Sequence, residues 1–161
     1  MTTSRDISFH LNGVSTERSV NVRKTLADFL REDCGATGTH LGCEHGVCGA
    51  CTILHNGEPV RSCLMLAVQA DGTELTTIEG LSPQGELGAI PRAMKSNYAF
   101  QCGFCTPGFL ISIAALLQDG NRPDERSIRE VLSGNICRCT GYESIVNGVI
   151  AVVAETEASE S

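Results

Sequence analysis

The stretch Gly42-Cys43-Glu44-His45-Gly46-Val47-Cys48-Gly49-Ala50-Cys51-Thr52 gathers three cysteines and three glycines into one segment without helical or strand periodicity. Together with Cys63 it reads C-x4-C-x2-C-x11-C. That is the plant-type spacing for a [2Fe–2S] cluster, which requires four cysteine thiolates. Three ligands drawn from one loop force the backbone through tight, partly left-handed turns. Gly42, Gly46 and Gly49 are expected to supply those turns without a Cβ clash, and the neighbouring N–H groups can then aim at electron-rich sulfur. A structural zinc site is the alternative for four cysteines; x4 followed by x2 in a glycine-rich loop suits iron–sulfur better.

Moving outward, a second set consists of Cys102, Cys105, Cys137 and Cys139, spaced C-x2-C-x31-C-x-C. The C-x-C pair brings two thiolates very close, which suits two ligands on a compact cluster. Zinc knuckles favour C-x2-4-C, and zinc stays the alternative here too. Cys102 and Cys105 stand just before an apolar helix, whose N-terminal dipole favours an anionic centre. The two sets use eight of the nine cysteines. Cys34 belongs to neither and reads as a buried small apolar residue ending the first helix.

The elements around the cysteines differ between the halves. Ile7–Leu11 and Val14–Val22 alternate polar and apolar residues across Asn12-Gly13, a hairpin turn signal. A helix begins at Lys24-Thr25, with Thr25 as N-cap and Leu26, Phe29 and Leu30 on one face. Asp33–Ala50 is loop. Cys51–His55 and Pro59–Ser62 are strands joined by Asn56-Gly57, and Glu74–Ile78 is a last strand. After a linker at Leu81–Gly85, four helices are expected: Leu87–Asn97, Pro107–Gln118 capped by Thr106, Asp124–Leu132, and Glu143–Ala154. Pro91 is tolerable near a first turn, Gly148 weakens the last helix locally, and Ala158–Ser161 reads as a frayed tail. The chain thus divides into residues 1–80, strands plus one helix around a cysteine loop, and residues 81–161, an all-α unit. The class is α+β.

Composition excludes several functions. The chain has 161 residues and a net charge of −7, with 4% aromatic residues and no tryptophan. A basic surface for phosphate and a stacking platform for bases are both missing, so nucleic acid is not an expected partner. No apolar signal core and no span of about twenty apolar residues is present, so a cytoplasmic, soluble protein without membrane contact is expected. In that compartment many cysteines indicate metal ligation rather than disulfides. Two domains this small gain from a metal staple each.

The loop at 42–52, followed by Gln101-Cys102-Gly103-Phe104-Cys105-Thr106-Pro107-Gly108 and by Asn135-Ile136-Cys137-Arg138-Cys139-Thr140-Gly141-Tyr142, resembles the iron–sulfur subunit of the molybdenum hydroxylases. That family contains xanthine dehydrogenase, aldehyde oxidoreductase and carbon monoxide dehydrogenase. The resemblance runs from about Ile7 to Val153. It implies an N-terminal β-grasp, ferredoxin-like [2Fe–2S] domain and a C-terminal four-helix [2Fe–2S] domain. It also implies a large subunit carrying molybdopterin and a medium subunit carrying FAD, in a heterotrimer or a dimer of heterotrimers. Electrons would pass from the molybdopterin centre to the cluster of Cys102, Cys105, Cys137 and Cys139, then to that of Cys43, Cys48, Cys51 and Cys63, and on to flavin. Gln101 and Cys139 are the positions that would contact the pterin. Substrate chemistry would lie on another subunit, acting on an aldehyde, purine, N-heteroaromatic or similar small molecule.

Other residues carry weaker expectations. His45 reads as a loop residue bonded to backbone, because four cysteines already complete the cage. Arg138 either offsets thiolate charge or points to solvent. Two other functions fit the cysteines alone: a free-standing ferredoxin or redox regulator, and a zinc-stabilised interaction module.

Overall fold

The computed structural model describes residues 3–82 and 87–159. In the first half, β1 (Ser4–Leu11) and β2 (Val14–Asn21) form an antiparallel hairpin from Ser4↔Asn21 to Leu11↔Val14. Asn12 and Gly13 both take positive φ, 53° and 79°, as a turn matching strand twist requires. The helix α1 (Leu26–Glu32) follows, and the Thr25 hydroxyl accepts from the Asp28 N–H as N-cap. After the cysteine loop come β3 (Thr52–His55) and β4 (Glu58–Arg61), a second hairpin around Asn56-Gly57, then β5 (Glu74–Thr76).

The sheet order is β2-β1-β5-β3-β4, with β1 parallel to β5 and the other pairings antiparallel. α1 lies over this sheet, which is the β-grasp arrangement. Alternation along β1 turns Ile7 and Phe9 inward against Leu26, Phe29 and Leu30, with Ile53 and Leu75 completing the core. Phe9 and Phe29 meet edge to face at 5.7 Å between centroids.

The second half contains α2 (Ala89–Ser96), α3 (Thr106–Leu116), α4 (Glu125–Leu132) and α5 (Glu143–Ser159). Phe109, Ile113, Ile128, Leu132, Ile145 and Val149 form its core. α3 is apolar on all sides, and its residues Pro107–Ile113 are all buried. It packs on α2 and α4 within its own half and on β3 and β4 of the first half. One helix of the second core therefore also packs on the first half's sheet and brings the two cysteine sets together.

Several boundaries differ from expectation. Three short 3-10 turns, Ser62–Leu64, Ala67–Ala70 and Ile78–Leu81, went unread because one turn has no detectable period. Ile78 accordingly leaves β5 for the last of them. Thr106 is not a cap: it is the first residue of α3, and its buried hydroxyl has no partner. α3 stops at Leu116, and Gln118 begins a separate 3-10 turn. α5 continues to Ser159, so Ala158 and Ser159 are helical rather than frayed. The rest of that expected tail, and Pro83–Gly85 of the expected linker, lie outside the described residues. Gly148 has a packing reason: a Cβ there would stand 2.8 Å from the Met94 Sδ of α2. Among the described residues no helix is long and apolar enough to cross a membrane.

Candidate metal centres

The loop between α1 and β3 presents Cys43, Cys48 and Cys51, and Cys63 enters from the 3-10 turn that follows β4. Gly46 and Gly49 have φ of 87° and 75°, so they supply the left-handed turns expected of them. Gly42 does not. Its role is space, because a Cβ there would lie 3.2 Å from Cys48 Sγ and 3.4 Å from the Phe104 ring. Glu44 takes the third left-handed position, at 56°.

The thiols of this set influence one another's ionisation, Cys48 acting on Cys43, and Cys51 and Cys43 on Cys63. Backbone N–H groups of Cys48 (3.3 Å) and His45 bring the Cys43 thiol down to about 6, so it favours the thiolate. Burial, and then Cys51, push Cys63 up to about 11. A thiolate at Cys63 therefore needs a positive partner, as a metal ion provides.

The second set follows the same plan. Cys102 and Cys105 end the segment before α3, and Cys137 and Cys139 lie between α4 and α5. Cys139 Sγ is 3.6 Å from Cys102 Sγ, and Cys105 and Cys137 influence each other's ionisation. Burial and then Cys137 push Cys105 up to about 12. Burial also raises Cys137, but a hydrogen bond from the Thr140 hydroxyl (3.1 Å) and nearby N–H groups outweigh it, and the net shift is downward. Tyr142, at φ 70°, accepts from the Cys137 N–H at 2.9 Å and packs on Phe109.

The four-cysteine sets test the choice of metal. A structural zinc ion gathers four ligands at one point. A two-iron cluster spreads four cysteines over two irons. Among the described residues no three cysteine, histidine or acidic side chains are grouped as for one metal ion. Four cysteines per set, with Cys102 and Cys139 in thiol contact, fit the two-iron centre.

The sets differ in exposure. Cys51, Cys63 and Cys105 are buried, whereas Cys102 and Cys139 are exposed, as is Gln101. Gln101 Nε2 donates to Cys139 O at 3.1 Å, so the two positions expected at the pterin stand side by side at the surface. His45 Nδ1–H donates to the Cys43 carbonyl, the backbone bond expected of it. Arg138 is exposed, which is the solvent reading of that residue. Cys34 is half-buried against the first core, and burial raises its thiol above the ordinary value.

Several contacts joining the halves carried no signal in the sequence. His40 Nδ1 bonds Phe104 O at 2.7 Å while its ring stacks on Phe104, linking the two cysteine loops. Arg61 reaches from β4 to Thr52 Oγ1 and Gly134 O. Asn135 is 2% exposed and bonds Gly49 O. Ile136 N–H donates to Cys48 O at 2.9 Å. A buried polar residue and a backbone bond between distant segments have no local sequence signature.

The fold and the two four-cysteine sets define a small two-centre iron–sulfur protein, built to hold and pass electrons. A 2Fe-2S iron-sulfur cluster binding domain matches residues 9–77, and a [2Fe-2S] binding domain matches residues 77–150. The gamma subunit of caffeine dehydrogenase from Pseudomonas sp. (strain CBB1) is 51% identical over 98% of this chain and 96% of its own. The small subunit of nicotine 6-hydroxylase from Paenarthrobacter nicotinovorans is 52% identical over 90% of this chain and 87% of its own. A chain of quinoline 2-oxidoreductase from Pseudomonas putida 86 superposes with a TM-score of 0.92 at 46% identity, covering 99% of this chain and 100% of that one. The chain belongs to the family of iron–sulfur subunits of the molybdenum hydroxylases, whose task is electron transfer.

Proposed function

We propose that Cys43, Cys48, Cys51 and Cys63 hold one [2Fe–2S] cluster, and that Cys102, Cys105, Cys137 and Cys139 hold the other. The Cys102–Cys139 thiol contact supports the reading of the second set as one centre. When bound, the clusters accept and release single electrons between a molybdopterin centre on a large subunit and FAD on a medium subunit. The chain divides into two domains near residue 80, a reading supported by family matches that abut at residue 77.

The observation that carries the direction is the exposed edge formed by Gln101, Cys102 and Cys139. Gln101 keeps its carbonyl free to accept from a pterin amine while its amide nitrogen is held on Cys139 O. Tyr98 and Phe104, on either side of Gln101 and Cys102 in the chain, are exposed and suit burial in an obligate contact with the large subunit. The chain's own residues shield the other set: its thiols are buried or half-buried, and N–H groups aimed at Cys43 stabilise negative charge there. The complex is a heterotrimer or a dimer of heterotrimers in the cytoplasm. The relatives are named for caffeine, nicotine and quinoline, and these names favour an N-heteroaromatic substrate hydroxylated on the large subunit.

Native purification tests the assignment. The chain should co-purify with flavin and molybdenum and contain about four irons and four sulfides. A single small species with neither flavin nor molybdenum would identify a free-standing ferredoxin instead; stoichiometric zinc without iron or sulfide would identify a zinc module. Turnover of the complex on N-heteroaromatics, aldehydes, purines, carbon monoxide and aroyl-CoA thioesters, with an artificial electron acceptor, tests the substrate class.

A further inference from the structure

Three consecutive residues before Cys137 each bond the opposite half of the molecule. Gly134 O accepts from Arg61, Asn135 Nδ2 donates to Gly49 O at 3.1 Å, and Ile136 N–H donates to Cys48 O at 2.9 Å. The strip therefore runs from the first cysteine loop directly into the C-x-C pair. Gly134 and Ile136 engage through backbone, as do Cys48 and Gly49. Asn135 is the residue of the three that holds the first loop with its side chain.

That side chain is 2% exposed and satisfied at both ends. Its Oδ1 faces the Ser112 hydroxyl of α3 at 3.0 Å. The same hydroxyl lies 2.9 Å from Gly108 O, which already serves the helix. Giving the hydroxyl proton to Asn135 keeps a buried amide oxygen from being left unpaired, a state that would be costly. The opposite orientation of the amide would set its oxygen against the Gly49 carbonyl, two acceptors face to face. The orientation is thus dictated by Ser112 on one side and Gly49 on the other. These contacts join the three segments that carry the inner cysteines: the Cys48–Cys51 loop, the helix headed by Cys105, and the strip ending in Cys137. The space is tight throughout. A Cβ on Gly49 would lie 2.6 Å from Asn135 Nδ2, and one on Gly108 would lie 2.2 Å from Gly49 O.

We propose that the Ser112–Asn135–Gly49 relay fixes the separation and relative orientation of the two cysteine sets, with Asn135 as its positioning residue. The inference rests on the reading of both sets as [2Fe–2S] ligands. Its consequence is a fixed coupling between the centres: a small displacement at Asn135 moves Cys137 relative to Cys48 without removing a ligand from either set.

The test uses the purified holo-complex with Asn135→Asp and Ser112→Ala. Asn135→Asp keeps an acceptor for Ser112 and turns the donor to Gly49 O into a second acceptor. Ser112→Ala keeps that donor and releases the other end. Iron and sulfide content is measured first, then the electron paramagnetic resonance of the two reduced clusters. Asn135→Asp should retain both individual signals and the full iron content, lose or narrow the splitting that each cluster imposes on the other, and slow electron passage between them. Ser112→Ala should change the splitting in the same direction by less. Unchanged splitting in an iron-replete Asn135→Asp complex would overturn the inference. If Asn135→Asp loses iron, iron-replete Ser112→Ala decides: altered splitting supports the relay and unchanged splitting overturns it. A native complex without the two clusters would instead overturn the ligand reading beneath it.

Discussion

Gly108→Ala sets two opposing effects against each other at the contact between the halves. Gly108 is the third residue of α3, where alanine is better by at most about 1 kcal/mol on helix propensity. Its Cβ, however, would stand 2.2 Å from Gly49 O, 3.0 Å from Asn135 Nδ2 and 3.1 Å from Gly49 C. Ordinary heavy-atom contacts are about 3.5–4.0 Å, so α3 and the cysteine loop must separate by roughly 1 Å. The obstacle is backbone held by Thr52 and Asn135, not a side chain free to swing aside. Overpacking of this kind costs about 1–3 kcal/mol. Taking the upper part of that range less the propensity gain leaves a net loss of about 1–2 kcal/mol, or about 2–8 °C in Tm for a chain of this size. Thermal unfolding followed by far-UV circular dichroism and visible absorbance reads it. Gly148→Ala is the matched control. Its Cβ would meet the Met94 Sδ at 2.8 Å and Cε at 2.9 Å, the mobile end of a thioether, so its net effect should stay within about 0.5 kcal/mol. A Gly108→Ala protein that melts higher than the parent would refute the close approach of α3 to the loop.

Cys139→Ser should impair electron flow from molybdenum and alter the second cluster's spectrum while the plant-type cluster's spectrum persists; simultaneous loss of both would contradict independent sets. In the chain stripped of iron, Cys43 should be the most readily alkylated thiol. Its value near 6 lies below the ordinary 9.0, so the reactive thiolate is present above about pH 6 and disappears as pH falls through it. Cys105, pushed up to about 12, should remain unreactive through neutral pH; a Cys43 that reacts only above pH 8 would rule out the N–H cradle. Thr25→Ala removes the N-cap acceptor for Asp28 N–H and should lower stability by about 1 kcal/mol, read as a shift in denaturation midpoint with the cluster spectra intact.

Local chemistry was legible wherever one segment carries it. Asn12-Gly13 and Asn56-Gly57 form their turns because a two-residue hairpin needs positive φ at both positions. Thr25 caps α1 because a hydroxyl before an apolar face can reach an N–H in the first turn. Thr106 has the same chemistry but sits one residue inside its helix, and the difference depends on how the preceding cysteine turn delivers the chain. Gly42 and Gly148 look like the other glycines in sequence. Their roles, clearing Cys48 Sγ and Met94, exist only where a second segment approaches.

Cysteine count and spacing by themselves marked out two four-thiol sets, one on a glycine-rich loop and one split around a helix. The short spacings C-x4-C-x2-C, C-x2-C and C-x-C are local properties that show in the chain, whereas Cys63 and the Cys137–Cys139 pair join their sets only through the fold. Only the tertiary structure decided which set is exposed and how one is held against the other. Those depend on α3 packing against both halves, on Asn135 joining a loop 86 residues away, and on Arg61 reaching Gly134 across 73. Contacts over such separations follow from packing and buried hydrogen bonding, which no periodicity or spacing in the chain records.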